Sequence, residues 1–162
     1  MIRVLIVEDE PLIAEAHRTY VERVPGFTVV GTAHTGSAAM RAASEAVDPV
    51  DLVLLDIGLP DANGIDVAAA LGGLRPSPDV IAITSERDLA VVRSAVAHGV
   101  VLYLLKPFTF AAFRDKLERY REFHDALPAG ANAASQREID RAMSHLRTAD
   151  ERASTPKGIA PQ

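Results

Sequence analysis

An acidic side chain placed directly after an aliphatic run loses solvation unless something pairs with it. This chain does so repeatedly. Glu8 and Asp9 follow RVLIV (3–7), Asp56 follows LVLL (52–55), Thr84 and Ser85 close the VIAIT run (80–84), and Lys106-Pro107 follows VLYLL (101–105). If these runs are parallel strands, they all end at one sheet edge, and their end residues meet in the crevice where such sheets bind ligands. Three carboxylates roughly 4 Å apart repel by about 4 kcal/mol per pair at an effective dielectric near 20. Lys106 can neutralise only one of them, so a cation is the economical remedy. The donors on offer are carboxylates, carbonyls and water, with no His or Cys in these segments, which suits a hard ion such as Mg2+ and not Zn2+.

Such a set suits phosphoryl chemistry. A carboxylate is a competent nucleophile toward phosphorus, and Asp56, on the central run, is the natural acceptor, giving an aspartyl phosphate. Mg2+ would join a phosphoryl oxygen to the acids, Lys106 would hold a second oxygen, and the Thr84 hydroxyl a third once transfer has occurred. Gly58 lets a backbone carbonyl face the metal, and Pro60 and Gly64 shape the loop over the site.

The elements that must position these residues are legible in the same pattern. Five apolar runs, the four above and FTVVGTA (27–33), are continuous instead of alternating, and helix-length amphipathic segments separate them. That is the signature of a parallel sheet covered on both faces, a (βα)5 doubly wound α/β fold with five strands. The first helix starts at Pro11, with Leu12, Ala16 and Tyr20 as its buried stripe and Ile13 and Val24 broadening it, and stops at Pro25-Gly26. The second spans Gly36 to Ala46 and the third Ile65 to Leu74. The fourth runs from Asp88, as N-cap, to His98-Gly99. The fifth, Thr109 to about Ala126, lines up Phe110, Phe113, Leu117, Tyr120 and Phe123. LPAGANAAS (127–135) reads as a linker, Gln136 to Leu146 as a short helix, and the remainder, without apolar periodicity, as a mobile tail.

With 162 residues, 48% hydrophobic and 24% charged, the chain reads as one globular domain and a short appendage. It has no cysteine, which excludes disulfides, thiolate metal sites and cysteine nucleophiles. The opening MIRVLIVEDE is too short for a signal peptide and no run reaches transmembrane length, so a cytoplasmic location is expected. Residues 1–126 carry 12 Lys+Arg against 18 Asp+Glu; an acidic body of this kind is not expected to bind nucleic acid by itself.

The segments Val7-Glu8-Asp9-Glu10, Leu54 to Gly64 (LLDIGLPDANG), Ile83-Thr84-Ser85 and Tyr103 to Phe108 (YLLKPF) together resemble the signature blocks of two-component response regulator receiver domains, over residues 1–126. The resemblance implies a flavodoxin-like strand order 2-1-3-4-5. It also implies that Asp56 takes a phosphoryl group from a sensor histidine kinase, in a phosphoacceptor that catalyses its own transfer and dephosphorylation and is not an enzyme in the ordinary sense. Asp9, Asp56 and the Gly58 carbonyl would bind Mg2+ directly. Glu8 stands where many relatives have Asp and would act through water. Thr84 and Tyr103 match the switch pair, whose rearrangement biases a two-state equilibrium and commonly alters homodimerisation. The peptide before Pro107 is often cis in this family. The tail segments SQREID (135–140) and PKGI (156–159) resemble the citrate and C4-dicarboxylate branch, in which a helix-turn-helix domain follows. On that reading the chain is a truncated regulator whose DNA binding belongs to a missing portion.

Each residue alone has an ordinary explanation: a solvated acid pair at a helix start, an Asx turn at Asp56, an exposed lysine, a strand-end hydroxyl at Thr84, a core ring at Tyr103. Convergence at one edge separates the set from these. Glu10 and Ser85 are adjacent variables that could tune dephosphorylation. His17, His34, His98, His124 and His145 lack ligand spacing and are assigned no chemistry. Among rivals, a flavodoxin-like phosphate binder would not open on Glu8-Asp9-Glu10, which repels phosphate. A haloacid-dehalogenase-type phosphatase needs a second Asp where this chain has Gly58. A receiver-fold binding module that works without phosphorylation is the alternative left open.

Overall fold

Aliphatic runs buried on both faces pair as strands because their backbone groups must be hydrogen-bonded once water is excluded. In the computed structural model, which describes residues 1–94 and 99–126, the elements alternate as expected. They are β1 (Ile2–Val7), α1 (Pro11–Glu22), β2 (Phe27–Ala33), α2 (Gly36–Glu45), β3 (Leu52–Asp56), α3 (Gly64–Leu71), β4 (Asp79–Ser85), a 3-10 turn (Glu86–Asp88), α4 (Leu89–Ser94), β5 (Val100–Lys106) and α5 (Phe110–Ala126). All pairings are parallel and the order is β2-β1-β3-β4-β5. The expected linker and helix over 127–162 lie outside the described residues, as does the end of the fourth helix at His98.

Strand periodicity divides the core in two. Val4, Ile6, Leu52, Leu54, Ile81 and Ile83 face α1 and α5, where they pack on Val21, Phe113, Leu117 and Tyr120. Leu5, Val7, Val53, Leu55, Val80 and Ala82 face α2 and α3, against Ala39, Val67, Ala68 and Leu71. The aromatic stripe of α5 is buried as expected, with Phe110 at its half-buried margin.

Helix α1 corrects the expected stripe. Leu12 is 86% exposed and Ile13 and Ala16 also face outward, while Ala14, His17, Val21 and Val24 are buried. Spacings of three, four and three residues keep that second set on one face. His17 belongs to it because its ring packs tilted against Phe108 and stacked on Phe113, with centroids 5.6 and 6.4 Å away. Scoring histidine as polar therefore selects the wrong face. Tyr20 sits at the margin, edge-on to Phe110 and Phe113. Helix α3 ends at Leu71, earlier than the expected Leu74, because Gly72 caps it and the chain continues through tighter turns, Gly73 N to Ala70 O and Leu74 N to Leu71 O. Asp88 ends the 3-10 turn that precedes α4, and its carboxylate accepts from the Ser85 hydroxyl at 3.2 Å. The Lys106-Pro107 peptide is cis, as is Arg75-Pro76.

Candidate functional site

Register brings the strand ends together. Val7 pairs with Leu55, Asp56 with Ile83 and Ser85 with Lys106, so Glu8, Asp56, Thr84 and Lys106 come to one edge of the sheet. One carboxylate oxygen from each of Glu8, Asp9 and Asp56 lies within 4.8 Å of the others. Asp56 and Glu8 are both buried, at 4% and 1% exposure.

The Asp56 carboxylate is held from two sides. Oδ1 accepts from the Gly58 amide at 2.9 Å and Oδ2 from the Lys106 ammonium at 3.1 Å. Burial works to raise its pKa, but the neighbouring Glu8 carboxyl, the Gly58 amide and the Lys106 charge outweigh that and hold it below the ordinary value. Glu8 goes the other way. Burial, reinforced by the neighbouring Asp56 and Asp9 carboxylates, pushes its carboxyl up to about 8. Its Oε2 accepts from the Glu10 amide at 3.1 Å, whereas the buried Oε1 has no partner. Neighbouring carboxylates cannot all be ionised cheaply, so Glu8 keeps a proton while Asp56 stays charged.

The orphaned Oε1 and the all-oxygen donor set fit a hard divalent cation such as Mg2+. When bound, Mg2+ supplies charge neutralisation and polarises a phosphoryl oxygen. Gly64 has a steric role: a Cβ there would stand 2.6 Å from Ile57 Cα and 2.8 Å from Ile57 O, so the first turn of α3 can abut the strand end only with glycine.

Thr84, one residue past the Ile83 that pairs with Asp56, is buried, its hydroxyl donating to Ser85 O at 3.3 Å. By strand alternation it shares a face with Ala82 and with Tyr103, in the α2/α3 side of the core. The Tyr103 ring is buried, its hydroxyl 3.5 Å from Arg93 Nη2 and its face 5.6 Å from the Lys116 ammonium.

Three features were not anticipated. Lys116 is nearly buried in α5, and desolvation, helped by the Arg119 charge, lowers its pKa to about 8. His34 places Nδ1 2.8 Å from the Glu8 carbonyl oxygen. Asp61, in the loop after Asp56, reaches across to α2. The last two are contacts between segments far apart in sequence, for which local pattern carries no signal.

Residues 4–118 match the response regulator receiver domain. The chain belongs to that family. This receiver is 37% identical to the transcriptional regulatory protein DcuR of Escherichia coli (strain K12), over all of the chain and 68% of that protein. It is 34% identical to the probable C4-dicarboxylate response regulator DctR of Halalkalibacterium halodurans, over 98% of the chain and 68% of the relative. The receiver fold is also that of a response regulator receiver domain protein from Clostridium thermocellum, with a TM-score of 0.70 at 24% identity over 79% of this chain and 100% of the other. Homology to DcuR- and DctR-type regulators agrees with the branch expected from SQREID and PKGI, and the receiver carries the acidic cluster of a divalent metal and phosphoaspartate site.

Proposed function

We propose that Asp56 accepts a phosphoryl group from a phosphohistidine of a sensor kinase. The observation that carries this is the state of Asp56: ionised, buried, and gripped by Lys106 and the Gly58 amide beside a Glu8 whose carboxyl is pushed up. A carboxylate kept charged away from water is a ready nucleophile. Its oxygen would form the new bond to phosphorus as the phosphorus–nitrogen bond of the donor breaks.

In this reading Asp9, Asp56 and the Gly58 carbonyl hold Mg2+, with Glu8 acting through water. Lys106 stays on a phosphoryl oxygen after transfer, and the Thr84 hydroxyl leaves Ser85 O for another. Tyr103, on the same face, follows Thr84, and the surface around β5 and α5 changes with it, favouring a homodimer. The output is transcription regulation of the kind named for DcuR, with DNA contacted by a part other than the receiver. An ATP-fed kinase as donor places the exchange in the cytoplasm. Among the described residues no helix is long and apolar enough to cross a membrane.

Intact mass after incubation with acetyl phosphate, with and without Mg2+, tests the proposal. One Mg2+-dependent phosphoryl adduct is expected, absent in Asp56→Asn. No adduct in the wild-type chain would leave a binding module that works without phosphorylation.

A further inference from the structure

The turn between β2 and α2 touches both walls of the acid pocket. On one side His34 Nδ1 meets the Glu8 carbonyl oxygen at 2.8 Å. On the other, the Gly36 amide donates to Asp61 Oδ1 at 2.8 Å and the Ser37 amide to Asp61 Oδ2 at 3.3 Å. The loop bearing Asp61 is pinned near its ends by Gly58 N to Asp56 Oδ1 and by Gly64 N to Ile57 O. Asp61 pins its tip.

The approach is close. A Cβ on Gly36 would lie 2.9 Å from Val67 Cγ2 of α3 and 3.1 Å from Ala62 Cβ of the loop, so a larger residue there would have to push one of them aside. The first helical amides are also divided between two acceptors. Thr35 Oγ1 takes the Ala38 amide at 3.0 Å, while Asp61 takes the two before it. A carboxylate there is favoured by the helix dipole, and the Gly36 hydrogen bond leads in holding the Asp61 carboxyl below its ordinary pKa. Asp61 is exposed and lies outside the Glu8, Asp9 and Asp56 cluster, so it contributes neither core packing nor a metal ligand.

We propose that Asp61 is a positioning residue: by docking the tip of the loop onto the first turn of α2, it fixes where Gly58 stands relative to Asp56 and so sets the affinity of the acid pocket for a divalent cation. This rests on the reading of that pocket as the Mg2+ site. The same turn bonds to the Glu8 backbone through His34, so Asp61 ties the two walls to one brace.

The competing role is a helix cap and nothing more, and Thr35→Ala separates the two. It removes the other cap of the same helix turn without touching the loop. The measurements are Mg2+ affinity by isothermal titration calorimetry and Tm in EDTA, on the whole chain. Asp61→Ala is expected to weaken Mg2+ binding by about tenfold, the lower end for loss of a group that orients ligands. Asp61→Asn, which keeps one acceptor oxygen, should recover part of this. Thr35→Ala should lower Tm and leave Mg2+ affinity unchanged. Wild-type Mg2+ affinity in Asp61→Ala, with a Tm loss like that of Thr35→Ala, would overturn the proposal. Weakened Mg2+ binding upholds it even if acetyl phosphate gives no adduct, which would remove only the phosphoacceptor reading. A wild-type chain that binds no Mg2+ would overturn both.

Discussion

The two edges of the sheet are both rich in acids, and they treat them oppositely. At the amino edge, Asp51 Oδ2 accepts from the Arg3 amide at 2.8 Å and Asp79 Oδ2 from the Tyr120 hydroxyl at 2.7 Å. The backbone of the same strands joins in, Asp51 N to Arg3 O and Asp79 N to Asp51 O. At the carboxyl edge, Glu8, Asp9 and Asp56 crowd together, and Glu8 keeps a carboxylate oxygen with no donor. One set of acids locks α5 to the start of the strands. The other is left in want of a cation. Acid content alone does not mark a site; the state of satisfaction does.

The largest test of this contrast removes the lock. Tyr120→Ala, at a fully buried ring, should cost ~3–5 kcal/mol of stability, measured by urea unfolding, and Tyr120→Phe about 1–2 kcal/mol for the lost donor to Asp79. Both variants should still take up a phosphoryl group at 25 °C wherever they remain folded; loss of uptake in folded Tyr120→Phe would mean the edges are not independent.

Glu8→Gln makes the reverse test at the other edge. The Glu8 carboxyl is raised from 4.5 to about 8 in the folded state, so the native chain holds a proton that the unfolded chain has lost, and wild-type stability falls as pH rises through that window. Glu8→Gln should flatten this fall, being the more stable protein at pH 8, and weaken Mg2+ binding by about tenfold. A variant that is less stable at pH 8 would show that Glu8 is structural, like Asp79.

The smallest effect is expected away from both edges. Lys116 has its pKa lowered from 10.5 to about 8, so the unfolded chain binds the extra proton between those values and stability rises with pH across them. In Lys116→Met that rise should vanish from a series of thermal melts between pH 7.5 and 10.5; an unchanged rise would assign it to another group.

How far the sequence revealed this contrast follows from the range of each signal. Glu8, Asp56, Thr84 and Lys106 stood at the ends of apolar runs, and parallel strands end together, so their meeting required only the fold class. The five strands were legible because each is a continuous run buried on both faces. The buried face of α1 was not, because His17 is chosen by Phe108 and Phe113, contributed from beyond β5. Asp61 and Gly36 are likewise 25 residues apart and joined only through the close seating of α2 on the loop. Tyr120 read as core from its stripe, and its bond to Asp79, 41 residues away, could not be read at all.

Leu12, turned outward in the opening turn of α1 only a few residues from Asp9, gives the molecule a practical handle. The chain has no cysteine, so Leu12→Cys would create a single thiol at a position where the native side chain is exposed. A fluorophore attached there would stand close to the acid pocket, turning a protein without tryptophan into its own reporter of cation arrival and departure.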